Sequence, residues 1–408
     1  MDIIFIILMS LMLAAFLFFK MGDIFSPWTI TTVIWLAIVV MFQFQGDLLY
    51  PLGDQFHACL ALWLPIFCAS ALITYYVLPR NNSGQTLSQV PDINTGIFTF
   101  FYVISMVITP LYLYKIIQVV SMFDTADMLN NIRMLAVYGD ENYGFLNYSY
   151  VLNQTLVVIG LWRYPKVPLW QLITIIIACL MSAFAIMEKG LLFFLFAAIL
   201  FILYEKKVIK MRSIIISSSL LVLVFFLING ARSYSEDSDP NEATTFLDFF
   251  AIYILSPAVA FEYVEEDLTP QLGAHTFQTI YMFLNRFGGD YEVNTKLQEF
   301  VWVPLPTNVY TVFQPFFEDF KYKGVALFAM FYGVFSGLAY RMARNGGSVG
   351  KCLYVYVVYV LALQFFQENV MMSIVNVIQF TFFTTLICQQ RIGMGFFTDS
   401  DQSNQIRL

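Results

Sequence analysis

The chain has 408 residues, of which 59% are hydrophobic and only 12% charged, with a formal net charge of −7. A soluble domain is nearer a quarter charged, so this chain has too few charges to cover a water-facing surface. A soluble globular fold is excluded, and the composition predicts an all-α, polytopic transmembrane helix bundle.

A bilayer core needs about 20 apolar residues per helix. Taken in chain order, that rule predicts about eleven spans, at 2–20, 27–45, 56–79, 96–121, 145–162, 168–187, 190–204, 213–230, 323–341, 351–367 and 372–390. The first run lacks a basic n-region and is expected to stay as a helix. Orientation follows from Lys and Arg in the short loops. Glu205–Arg212 holds Lys206, Lys207, Lys210 and Arg212. Setting that loop in the cytoplasm puts Lys20, Arg80, Arg163, Lys166, Arg341, Arg344, Lys351, Arg391 and Arg407 on the same side by parity. The N-terminus is then outside and the C-terminus inside. Only Arg133 and Lys189 remain in short external loops.

This gives an N-terminal transmembrane bundle over 1–230 (about eight helices) and a large external loop over 231–322. About three C-terminal spans over 323–390 and a cytoplasmic tail over 391–408 complete the chain. The large loop carries half of the chain's 28 acidic residues. Long connections in compact proteins are often functional. Within it, Thr245–Tyr263 is apolar and aromatic, with a break expected at Ser256-Pro257, and Ala274–Arg286 shows helical spacing. Short helices at the outer membrane surface, with a cleft above the bundle, are expected.

The five cysteines lie in or beside apolar runs with no CxxC spacing, and read as buried small hydrophobes. Two histidines argue against a multi-histidine metal site. No metal, no cofactor and no nucleic-acid partner is expected.

Positive charge is scarce outside, which singles out Arg133, Lys189, Arg232 and Arg286. Each has a Gly or Asn within three residues, where backbone N–H groups can approach a ligand. Such a set suits a diphosphate at the membrane surface. Snorkelling or pairing with carboxylates is the plainer role of each taken alone. His275, the one histidine of the large loop, is a candidate general base, as are Glu318 and Asp319. The plainer role of the two carboxylates is to cap the following helix electrostatically. Glu368, between the last two spans, reads as either a site residue or a loop carboxylate.

The most distinctive segment is Thr307-Asn308-Val309-Tyr310-Thr311-Val312-Phe313-Gln314-Pro315-Phe316-Phe317-Glu318-Asp319-Phe320, followed by Gly324 and then by Gly333, Gly337, Tyr340 and Arg341. It resembles the signature of Wzy-type O-antigen (oligosaccharide repeat unit) polymerases. The Glu188-Lys189-Gly190 corner and the single dominant late external loop are also similar to that family. The chain departs from the pattern at Lys321, where the family commonly has Gly in a tight turn.

The resemblance implies an enzyme of the bacterial inner membrane with its site on the periplasmic face. It would transfer a growing glycan from undecaprenyl diphosphate to the non-reducing end of a new lipid-linked repeat unit. His275, Glu318 and Asp319 would be catalytic candidates. Arg133, Lys189, Arg232, Arg286, Asn308 and Tyr310 would contact substrate. Membrane lipid and a polysaccharide co-polymerase (a chain-length regulator) would be the partners. An O-antigen ligase shares these physical needs. A transporter is disfavoured because the spans hold almost no mid-helix charge, and a non-catalytic scaffold would not need the external cations.

Overall fold

The computed structural model describes residues 1–79, 90–122, 131–132, 135, 144–186, 189–214, 216–217, 246–267, 269, 271–293, 298–304 and 306–389. The described residues are mostly helical. The long helices are α1 (Asp2–Phe18), α2 (Pro27–Phe42), α3 (Asp54–Val77), α4 (Thr95–Val120), α5 (Ser149–Arg163), α6 (Leu169–Ile186) and α7 (Lys189–Glu205). They are followed by α8 (Phe246–Ala260), the short α9 (Gln278–Asn285), α10 (Gln314–Arg344), α11 (Ser348–Ala362) and α12 (Ile374–Cys388). Three of them, α3, α4 and α10, are long and apolar enough to cross a bilayer, and several shorter apolar helices accompany them. The protein is membrane-embedded. Exposed Ile, Leu, Val and Phe side chains along α1 and α4 suit a lipid-facing surface.

Ten of the expected spans have a helix in the structure, while most of the span at 213–230 lies outside the described residues. The spacing of Ser256-Pro257 predicts a break, but α8 runs through both residues. In an apolar setting the i→i−4 bond that proline removes is tolerated, as it also is at Pro65 in α3 and Pro110 in α4.

Polar side chains tie the helices where no water competes. Asn153 of α5 accepts from Ser105 Oγ (2.5 Å) and donates to Thr109 Oγ1 (2.9 Å) and Ser182 Oγ (2.8 Å), linking α4, α5 and α6. Helix α10 lies directly on α3. A Cβ at Gly337 would sit 2.5 Å from Ala71 O, and one at Gly333 2.5 Å from Phe67 O. This small-residue pair lets the two backbones touch.

One end of the bundle is basic. Arg344 pairs with Asp23 and with Glu205 (3.2 Å), and Arg341 donates to Leu78 O (2.7 Å) from Nη2. Arg163 donates to Pro91 O (3.0 Å), and Lys206 to Leu161 O (3.2 Å). These contacts gather the ends of α3, α5, α7 and α10 with the start of α4. The N-terminal turns of α10 therefore lie at the opposite end.

Helices α11 and α12 have 15 residues each, about 22 Å, short of the roughly 30 Å hydrocarbon core. The connection between them sinks into the bundle. Glu368 accepts from the N–H groups of Val370 (2.7 Å), Met371 (2.8 Å) and Met372 (2.6 Å) and from the Tyr332 hydroxyl of α10. It is a buried carboxylate that folds this connection around itself. Gln364 accepts from Trp63 Nε1 (3.3 Å), and its carbonyl from Val312 N (2.9 Å). The buried turn is thus a floor beneath residues 307–313.

All five cysteines are free and buried.

Candidate active site

The distinctive segment divides into aromatic anchors and polar groups. Phe313 is fully buried and stacks on Trp35 of α2 at 4.9 Å and 17°. Phe316 stacks on Phe328 at 4.2 Å and 8° and reaches Trp63 of α3 at 6.1 Å. Phe317 meets Phe261 edge-on at 5.4 Å. Rings in these geometries add about 0.5–1.5 kcal/mol per pair beyond their area burial, so the segment is held rigidly.

The polar groups between these rings meet a second stretch, 267–276. His275 lies between two carboxylates, with Nε2 2.9 Å from Asp267 Oδ2 and Nδ1 3.1 Å from Glu318 Oε2. Asp319 accepts from the backbone N–H groups of His275 (3.1 Å) and Thr276 (2.6 Å). Thr276 Oγ1 donates to Pro315 O (3.1 Å), and Asp267 N to Glu318 O (2.8 Å). Gln314 Nε2 donates to Glu318 Oε1 (3.0 Å). The three groups of the array are only partly covered, with side-chain exposures of 25% for Asp267, 17% for His275 and 15% for Glu318.

The structure thus brings His275, Glu318 and Asp319 together, and it separates their tasks. Asp319 spends both oxygens on the turn before α9 and does not cap α10. Glu318 and Asp267 flank the ring. Sequence reasoning missed Asp267, because nothing in Glu265-Glu266-Asp267 distinguishes one acid from its neighbours; only its contact with His275 does. Burial pushes the Asp267 carboxyl up, but the Thr269 N–H bond (2.9 Å) and His275 outweigh it, and the net shift is downward. Asp267 is therefore ionised at neutral pH. An ionised Asp267 accepts a hydrogen bond from His275 Nε2–H, which leaves Nδ1 directed toward Glu318.

Lys321 kinks α10 just after the carboxylates, at φ 50° and ψ −145°. This is backbone that glycine adopts freely, so the tight turn survives the departure from the family pattern. Its Nζ reaches Glu266 Oε2 at 2.5 Å, beside Asp267. Such a conformation costs a side-chain-bearing residue about 1–3 kcal/mol, whereas an exposed ion pair returns at most about 1 kcal/mol. Lys321→Gly is expected to unfold at the same temperature as wild type or higher, and Lys321→Val several degrees lower, by thermal unfolding in detergent.

The other expected residues fall elsewhere. Arg286 is exposed at the end of α9 away from His275, with about 12 Å of helix between them, and does not join the array. Tyr310 is buried, and its hydroxyl donates to Glu299 O (2.9 Å), which makes it a strut of the 298–302 segment. Asn308 is half-buried. Lys189 opens α7. Arg133 and Arg232 lie outside the described residues.

Over 137 residues the chain is 32% identical to a curated protein of Escherichia coli (strain K12) named "Putative O-antigen polymerase". The chain is similar to an O-antigen polymerase. The match covers 33% of this chain and 34% of that protein, so about a third of the curated relative's length is spanned. It supports the same resemblance that residues 307–324 carry. No family model and no solved structure matches the chain.

Proposed function

We propose that this chain polymerises oligosaccharide repeat units carried on undecaprenyl diphosphate, at the periplasmic face of the bacterial inner membrane. The observation that carries the reading is the Asp267–His275–Glu318 array, built by the polymerase-like segment at the end of the bundle opposite the basic residues. With the basic end in the cytoplasm, as Lys and Arg bias favours, that array faces the periplasm, with the N-terminus outside and the C-terminus inside.

The growing glycan on its lipid diphosphate is the donor, and a hydroxyl on the non-reducing sugar of a new unit is the acceptor. The acceptor oxygen forms a bond to the donor's anomeric carbon as the bond from that carbon to the diphosphate oxygen breaks. Undecaprenyl diphosphate leaves, and the anomeric centre is inverted. The hydroxyl proton passes to His275 Nδ1, beside which Glu318 lies, and Asp267 stabilises the imidazolium that results. Asp319 is a positioning residue, holding His275 by its backbone.

External cations are assigned to the diphosphate. Arg133, Lys189 and Arg232 are its proposed ligands, and Arg286 engages the donor more remotely. Arg232→Ala is expected to lower chain extension at least tenfold and Arg286→Ala a few-fold, while Arg407→Ala in the tail behaves like wild type. Glycan gels of complemented deletion cells check all three. A polysaccharide co-polymerase is the proposed partner that sets chain length.

The deletion strain itself tests the reading. It is expected to carry surface glycan cut to a single repeat unit. Full-length polymer retained on the lipid carrier would instead identify a ligase and contradict polymerisation.

A further inference from the structure

Beside the array stands a small hairpin whose aromatic side is open. Val301–Trp302 pairs antiparallel with Pro306–Thr307, Val301 opposite Thr307 and Trp302 opposite Pro306. Side chains alternate along extended backbone. Val303 is fully buried, whereas Trp302 is 67% exposed and Phe300 is 59% exposed. The two rings therefore lie on one side, with Cα atoms about 7 Å apart.

The backbone beneath these rings is tied down from several directions, and one of these ties reaches the array. Tyr310 donates to Glu299 O (2.9 Å), and Ser256 Oγ donates to Thr307 Oγ1 (3.3 Å). Gln314 Nε2 donates to Gln298 Oε1 (2.8 Å) and also to Glu318 Oε1 (3.0 Å). One amide thus joins the hairpin to Glu318 of the array. Two large rings held open on a fixed support, next to reactive groups, are poised to receive a ligand with an apolar face.

We propose that Phe300 and Trp302 form a stacking subsite for a sugar ring of the glycan being extended. This rests on the polymerisation reading for the identity of the glycan. A pyranose offers a C–H face to an aromatic ring and hydroxyls to its surroundings. Here Gln298 and the half-buried Asn308, which alternation places on the rings' side, supply the polar partners. The exposed acidic side chain of Glu299, between Gln298 and Phe300, disfavours burial of this hairpin in hydrocarbon, so a sugar fits better than acyl chains.

The test uses the purified full chain in lipid nanodiscs and the delipidated repeat-unit oligosaccharide from the host's own surface glycan. Tryptophan emission is recorded during titration for wild type and Trp302→Phe. The expected result is a saturable change in wild type that largely disappears in Trp302→Phe. In Phe300→Ala the same change needs roughly two- to tenfold more oligosaccharide. Nanodiscs with brominated acyl chains should leave the Trp302 component of the emission unquenched. No Trp302-dependent change with the oligosaccharide, or quenching of that component by brominated lipid, overturns the subsite. Binding is read without turnover, so the two ideas separate. Glycan binding without chain extension sinks polymerisation and keeps the subsite, whereas extension without Trp302-dependent binding does the reverse.

Discussion

His275→Ala is expected to lower chain extension by about 10²–10⁴-fold while the protein stays folded in the membrane. The imidazole touches both flanking carboxylates, at 2.9 Å and 3.1 Å. Without it the acceptor proton has no neutral base, and Asp267 and Glu318 face each other across a gap. Glu318→Gln keeps the volume and the contact with Gln314 but removes the carboxylate beside His275 Nδ1, and an effect of similar size is expected. Asp267→Asn retains a polar partner for Nε2 and should cost less, roughly 10–100-fold. Initial rates of lengthening measure all three, with membrane content checked by immunoblot. His275→Ala working at more than about a third of the wild-type rate would remove the ring from the chemistry.

Asp267 also sets a pH expectation. Its folded pKa is lowered, so the stability it contributes is fully present above the unfolded value and lost as pH falls through the lower folded value. The Asp267→Asn difference in thermal stability should therefore shrink in strong acid, as pH falls through that lower value.

Gly337→Leu is expected to have the largest effect on folding. A Cβ there meets Ala71 O at 2.5 Å and Ala71 Cα at 3.1 Å, atoms of the α3 backbone that cannot swing aside. Overpacking a tight contact costs about 1–3 kcal/mol, and a whole isobutyl group at a backbone contact lies at or above the top of that range. Helix α10 also carries Glu318 and Asp319 of the proposed site, so the loss of folded protein is expected to bring loss of polymer. Gly333 meets Phe67 O and Ser70 in the same way, and Gly333→Leu should behave alike. Leu338→Ala, on the 40% exposed side of the same helix, should change little. Size-exclusion profiles of the detergent-extracted variants distinguish these outcomes.

Much of the architecture is legible in the sequence because lipid imposes simple rules. Long apolar runs must be helical, and that logic locates α3, α4 and α10 and the shorter apolar helices around them. It fails where local signals are overridden. Ser256-Pro257 reads as a break, yet apolar packing carries α8 through it. The start of α10 is expected near Lys323 but lies at Gln314, because buried Phe316 and Phe317 order an extra helical stretch ahead of the Lys321 kink. At the site, the distinctive segment points to Glu318 and Asp319, and its scarcity singles out His275. Which carboxylate faces the ring and which holds backbone depends on how 267–276 folds against α10, and no spacing rule encodes that. Asp267 stayed hidden for the same reason. Tyr310 looks like a sugar contact by residue type, but its hydroxyl is already committed to Glu299.

The most direct test of the central claim is reconstitution. Purified protein is incubated with undecaprenyl-diphosphate-linked repeat units alone, and the products are sized by gel or mass spectrometry. A ladder at repeat-unit spacing, with undecaprenyl diphosphate released in step and lost in His275→Ala, is the predicted result. Folded protein that yields no ladder from its cognate unit, or that transfers glycan only when lipid A core is added, would contradict it.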